Sequence, residues 1–171
     1  DRVEQNNTKN TSVIIDNYKC GYQATQHLVE QGCKRIMIVT SSLKRNVYKE
    51  RYRGYKDALI ENGLTPKNEL LVVTDLSEEA ATATAHKILK MKQKPDGLFI
   101  THDFTAVVCM QILKNHGIRI PEDIAIVGFN NDPISKLVDP GLSTIEYPGK
   151  DLGELVALNL VEQLNGKEPM Q

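Results

Sequence analysis

GIRIPEDIAIVGFNNDPISKLVDPGLSTIEYP, residues 117–148, decides the fold. It reads as a helix end at Gly117, a proline-guarded turn, a buried strand, a polar loop and a second short strand stopped by Pro148. Ile124, Ala125, Ile126 and Val127 form an unbroken apolar run, the pattern of a strand covered on both faces. Gly128 is expected to end that strand, with Asn130, Asn131 and Asp132 directly after it. Polar side chains just past the carboxyl end of a buried parallel strand are where open α/β sheets bind ligands.

The same alternation runs through the rest of the chain. Residues 12–16 (SVIID) predict a short strand, and Asn17 is the expected cap of a helix over 18–31, with Tyr22, Leu28 and Val29 inward and Gly32 closing it. Residues 35–40 (RIMIVT) predict a buried strand, and 47–62 a helix with Tyr48, Tyr52, Tyr55, Leu59 and Ile60 near helical spacing. A strand over 70–74 precedes a helix that starts at Ser77, with Glu78 and Glu79 in its first turn, and runs to about Lys92. Pro95 and Asp96 turn the chain into a strand over 97–100, and a helix over 104–116 follows. After the stretch already quoted, a short strand over 143–146 leads to a helix over 149–164, with Leu152, Leu155, Val156, Leu160 and Leu164 inward. Strands alternating with helices imply right-handed βαβ units: a doubly wound α/β domain on a parallel sheet.

Composition fits an ordinary globular chain. The 171 residues are 40% hydrophobic and 25% charged, enough for one real core or two small lobes. A net charge of −1 gives this segment no global electrostatic case for nucleic-acid binding. No apolar run approaches the roughly 20 residues that span a bilayer, and no leader is visible. Three cysteines, Cys20, Cys33 and Cys109, form no CxxC pair and read as small buried hydrophobes in a reducing, cytoplasmic setting. The polar opening over 1–10 and the turn over 165–169 suggest a piece of something longer.

The residues at the carboxyl ends of the strands are the candidate site. They are Asp16 and Asn17; Ser41, Ser42, Arg45 and Asn46; Asp75; His102 and Asp103; and Asn130, Asn131 and Asp132. On a doubly wound sheet these loops share one rim. Carboxylates, amides and a guanidinium match the hydroxyls of a sugar, each of which both donates and accepts. Capping is the competing role for Asn17, Asp75 and Asp103, which precede helices. The four histidines have no metal-ligand spacing, so no metal is expected, and the absence of a Walker loop, GxGxxG or GxSxG elbow leaves no expected cofactor and no catalytic residues. Tyr48, Tyr52 and Tyr55 with Lys49, Arg51 and Arg53 resemble an RNA-binding stripe, but tyrosines packing on one helix flank explain them better.

Several phrases together resemble a known family. They are DRV at 1–3; V-x-x-DN at 13–17; ATQHLVEQG at 24–32 leading into KRIMIV; RYRGYKDAL at 51–59; PDGLFITHD at 95–103; GIRIPEDIAIVGFNN at 117–131; and PGLSTIEYP at 140–148. The chain is similar, over nearly all its length, to the effector-binding core of LacI/GalR-family transcriptional regulators. That resemblance implies the type I periplasmic-binding-protein fold, in which two lobes close around a small polar effector, with a sugar or sugar derivative as the expected class. It implies one nearly complete C-terminal lobe over 34–146 and a partial N-terminal lobe over 1–33 and 147–171. The helix-turn-helix that binds operator DNA is expected upstream of this chain, and the whole protein is expected to be a cytoplasmic homodimer and not an enzyme.

Matched position by position, the resemblance assigns effector contacts to Arg45, Asn130, Asp75, Leu76, His102 and Asp103, and places Val47 and Leu76 as apolar neighbours for a ring face. The family often has Asn-Asp where this chain has His102-Asp103, and Asp where it has Asn130. The expected dimer surface includes Val107, Met110 and Val138, with core burial the competing role. A periplasmic sugar-binding protein of a transport system is the alternative with the same lobes and no DNA-binding head.

Overall fold

The computed structural model describes residues 13–166. Residues 1–12, with the DRV phrase and Ser12, and the tail from Lys167 onward lie outside the described residues. Five strands, β1 (Ile36–Thr40), β2 (Leu71–Val73), β3 (Gly97–Ile100), β4 (Ala125–Asn130) and β5 (Ser143–Glu146), form one sheet in the order β2-β1-β3-β4-β5. Every neighbouring pair is parallel. Five α-helices, α1 (Asn17–Glu30), α2 (Asn46–Glu61), α3 (Glu78–Lys90), α4 (Asp103–Asn115) and α5 (Gly149–Leu164), complete the doubly wound fold.

The period of two along the strands builds two cores. Ile36 and Ile38 of β1, Phe99 of β3, and Val127 and Phe129 of β4 meet Ala24 and Leu28 of α1 and Tyr55 and Leu59 of α2. Met37, Val39, Leu98, Ile100 and Ile126 point the other way, onto Ala85 and Ile88 of α3 and Met110 and Leu113 of α4. Burial on both faces accounts for the continuous apolar runs in β1 and β3. Tyr55, 2% exposed, donates its hydroxyl to the carbonyl of Ile36 at 2.8 Å. Asp96 fixes the entry to β1, its carboxylate accepting the backbone N–H of Arg35 at 2.7 Å and of Lys34 at 2.9 Å.

Several expectations need correction. Residues 13–16 are not a strand, because no described strand lies beside them to complete a ladder. Asp16, not Asn17, caps α1, accepting the N–H of Lys19 at 2.8 Å; Asn17 lies inside the helix and is buried. Gly128 does not end β4, since Gly128, Phe129 and Asn130 pair with Thr144, Ile145 and Glu146 of β5. A glycine is needed there because an added Cβ would stand 2.9 Å from Leu142 Cδ2 and closer still to the Asp103 carboxylate. Ile60 is 60% exposed, on the solvent side of α2.

α1 packs along α2 and shares its core with β1, β3 and β4. α5 differs: Leu155, Val156, Leu160 and Leu164, expected inward, are exposed, as are Leu158 and Val161. Nothing among the described residues covers that apolar row. No helix among the described residues is long and apolar enough to cross a membrane.

Cys33 and Cys109 are buried and Cys20 is half-buried, all three free thiols. Burial pushes the Cys33 thiol up to about 11 and the Cys109 thiol to about 12. Because the thiolate is the reactive form, Ellman's reagent at pH 8 is expected to modify Cys20 first. Cys33 and Cys109 are expected to react only after denaturation, and rapid release of all three thiols from the native protein would contradict the packing.

Candidate functional site

The sheet order reverses direction between β1 and β3, the topological switch point at which open α/β sheets bind ligands outside the carboxyl ends of their strands. A hollow of about 870 Å³ lies there. Its wall is made by Val47, Tyr48 and Arg51 after β1; Asp75 and Leu76 after β2; Thr101 and His102 after β3; Asn130 and Asp132 at the end of β4; and Tyr147 after β5. Every strand of the sheet contributes.

The structure therefore brings together Asn130, Asp75, Leu76, His102 and Val47 of the expected contacts. Two others stand apart from the wall. Arg45 precedes the first residue of α2, exposed, with its backbone extended at φ −89. Asp103 is 0% exposed and turned into the protein. Its Oδ1 accepts the hydroxyl of Thr144 at 2.7 Å and its Oδ2 the backbone N–H of Asp132 at 2.8 Å. It ties α4 to the loop after β4 and to β5, and acts on the hollow by holding Asn130 and Asp132 in place.

Arg51 was not among the expected contacts. Its side chain is buried, 6% exposed, with the guanidinium carbon 3.5 Å from the Phe129 ring centroid and 5.5 Å from that of Tyr48. Nε donates to Asn17 Oδ1 at 2.9 Å, which gives the buried Asn17 its partner. Stacking on two rings holds the planar cation on the wall of the hollow. The signal was present in the spacing: Arg51 stands one helical turn after Val47, so a ligand-facing Val47 puts Arg51 on the same face. Tyr147 and Asp132 also join the wall, both inside the stretch quoted first.

Backbone strain gathers at this rim. Leu76 has φ 65, Asn130 φ 124 and Asn131 φ 56, the only non-glycine residues with positive φ among those described. Asparagine tolerates that region, but a buried leucine there is unusual and persists only where its surroundings fix it. Asp75 accepts the N–H of Ser77 at 3.0 Å. That backbone bond, followed by the Ser77 hydroxyl, holds the Asp75 carboxyl below its usual range, so the wall keeps an ionised acid. Asn130 Nδ2 donates to Asp132 Oδ2 at 3.2 Å. The wall thus offers acceptors, an amide and a stacked cation beside the apolar Val47 and Leu76, a mix suited to a small polar molecule with one apolar face.

The expected dimer residues sit elsewhere. Val107 and Met110 are 6% and 1% exposed, inside the core between α3, α4 and the sheet. They pack there because α4 lays that face on β3 and β4, so they cannot form an exposed surface. Val138 is half-buried against the same core, while the neighbouring Leu137 is 83% exposed.

Residues 25–171 match the family model described as periplasmic binding protein-like domain. Over 158 residues the chain is 35% identical to the HTH-type transcriptional repressor PurR of Aliivibrio salmonicida, a match covering 92% of this chain and 47% of that protein. The chain spans about half the length of the curated relatives it matches. Among solved structures, the transcription regulator CcpA of Lactococcus lactis superposes with a TM-score of 0.84 at 29% identity, over 92% of this chain and 57% of that one. The transcriptional regulator CelR–cellobiose complex superposes with a TM-score of 0.82 at 28% identity, over 91% of this chain and 48% of that one. The chain belongs to the periplasmic binding protein-like domain family.

Proposed function

We propose that this chain forms most of the ligand-sensing domain of a transcriptional regulator. A small polar effector of the sugar class sits in the hollow at the carboxyl rim, between this body and a second lobe that α5 joins. The observation that carries the proposal is the hollow itself: five loops converge at the switch point with Asp75, His102, Asn130, Asp132 and Arg51 on one wall. The cellobiose complex of CelR supports the sugar class, and the repressors among the relatives support regulation over transport or catalysis.

No bond is made or broken in this reading. The effector favours one arrangement of the two lobes, and that preference changes the spacing of DNA-binding domains outside this chain; the affinity difference between arrangements sets the size of the response. The side-by-side dimer of the proposal rests on the surface around Leu137 and Val138, where an exposed leucine adjoins the core.

A thermal-shift screen of the full-length protein against sugars, sugar phosphates and nucleobases tests the proposal, since a ligand that binds only the native state raises Tm. For the effector so found, Asn130→Ala and Arg45→Ala are each expected to weaken binding by about 1–3 kcal/mol. Arg45 is included because the resemblance assigns it an effector contact and it directly precedes the first turn of α2. Unchanged affinity in both variants, measured by titration calorimetry, overturns the site.

A further inference from the structure

A short hydrogen-bonded chain on the wall of the hollow has protons that elimination can place. Thr105 Oγ1 lies 2.6 Å from the carbonyl oxygen of Leu76. A carbonyl oxygen only accepts, so the single hydroxyl proton of Thr105 is committed to it. His102 Nδ1 lies 3.0 Å from the same Oγ1. With its own proton committed, Oγ1 meets Nδ1 only as an acceptor, so Nδ1 carries a proton. In the neutral imidazole that leaves Nε2 bare, and Nε2 has no hydrogen bond to a described residue.

The arrangement resists inversion. Thr105 is 1% exposed, and its hydroxyl ties down Leu76, the bulky residue held at φ 65. Turning the hydroxyl toward His102 would strip the Leu76 carbonyl of this bond and release the constraint on a strained backbone.

We propose that His102 is a specificity-determining acceptor, set in the Nδ1–H form by Thr105 and Leu76, which selects ligands that present a hydroxyl or N–H to Nε2. The two carboxylates on the wall act in the same direction, against one cation, Arg51. Asp75 after β2 and Asp132 after β4 add negative charge to the wall. Arg51 of α2 is stacked on Phe129 and bonded to Asn17, and Asp103 of α4 is engaged with Asp132 and Thr144. A phosphate or carboxylate placed against Nε2 meets a lone pair and nearby carboxylates without a proton to share. This rests on the effector reading and narrows it to an uncharged, hydroxyl-bearing metabolite in preference to its phosphorylated form.

Nitrogen-15 NMR of histidine-labelled full-length protein at pH 8 reads the ring directly. The expected spectrum shows His102 with a protonated, pyrrole-type Nδ1 and a bare, pyridine-type Nε2, identified by its loss in His102→Gln. Thr105→Ser is expected to keep that signature and Thr105→Val to lose it. A protonated Nε2 with bare Nδ1 in the wild type overturns the assignment. Titration calorimetry then compares glucose, ribose and cellobiose with glucose 6-phosphate and ribose 5-phosphate. The parent sugar is expected to bind at least tenfold more tightly than its phosphate ester, and an ester that binds as tightly overturns the selection rule. The tautomer readout needs no effector, so its failure leaves the effector reading standing. Failure of every small polar compound to bind sinks that reading without altering the NMR signature.

Discussion

Gly54→Ala is expected to destabilise the domain by about 3 kcal/mol, against the ordinary rule that alanine stabilises a helix over glycine by roughly 0.5–1 kcal/mol. α1 and α2 cross backbone to backbone. A Cβ at Gly54 would stand 2.6 Å from the backbone nitrogen of Tyr22 and closer still to the carbonyl oxygen of Tyr18. A Cβ at Gly21, on the facing helix, would stand 2.7 Å from Arg51 Cα and closer to the Arg51 carbonyl oxygen. These neighbours are backbone atoms, which have no rotamer to retreat into. Either methyl must push the helices apart and open the core beneath Leu28, Tyr55 and Leu59. The displacement also moves Arg51, so effector binding should weaken along with stability. Gly153 is the internal control: it lies in α5 with nothing within 4 Å of an added Cβ, and Gly153→Ala is expected to raise stability slightly. Urea unfolding of the two variants should give ΔΔG values of opposite sign. A neutral Gly54→Ala would mean that the helices do not cross as closely as described.

Asp103→Ala is the second large effect, expected at about 3 kcal/mol from two lost charge-assisted hydrogen bonds of roughly 1.5–3 kcal/mol each, partly offset by no longer burying a carboxylate. The substitution leaves the Asp132 N–H and the Thr144 hydroxyl without the acceptors that the carboxylate supplied. Because Asp103 joins three elements, the damage should concentrate in the loop after β4. Amide hydrogen exchange at Asp132 is expected to accelerate well beyond the change in global stability. Gly128→Ala should reproduce the effect from the opposite side, since its methyl would run into the same carboxylate. Asp103→Asn, which keeps the shape and one acceptor, is expected to fall between the wild type and Asp103→Ala. If Asp132 exchanges no faster in Asp103→Ala, Asp103 is not the tie that holds the rim.

Much of this architecture is legible in the sequence because its punctuation is local. Pro95 and Asp96 turn the chain into β3, Pro140 and Pro148 bracket β5, and Ser77 caps α3 by accepting the N–H of Ala80 at 3.2 Å. The rim of strand ends holds most of the hollow's wall, because the βαβ rule fixes which ends face the same way. What sequence reasoning misplaced depends on contacts between distant segments. Asp16 and Asn17 are adjacent residues of equal capping propensity, and only the burial of Asn17 against Arg51 separates them. Gly128 looks like a terminator until β5 pairs beyond it and Asp103 fills the space that a side chain would take. Val107 and Met110 satisfy the helical pattern of a core and that of an apolar interface alike, and the sheet beneath α4 decides between them. Arg51 escaped because apolar periodicity describes how α2 meets the core, whereas its place on the wall comes from the rings of Phe129 and Tyr48.

Each of the five strands leads into its own segment of the wall, and no buried side chain of the strands themselves lines it; Thr101 stands just past β3. Floor and lining can therefore change separately over evolutionary time. On the proposed reading, a substitution at position 75 or 102 retunes what the hollow accepts while the sheet stays as it is, and a tightly packed frame leaves that lining free to drift. Regulators built on this plan can acquire new chemical vocabularies one segment at a time.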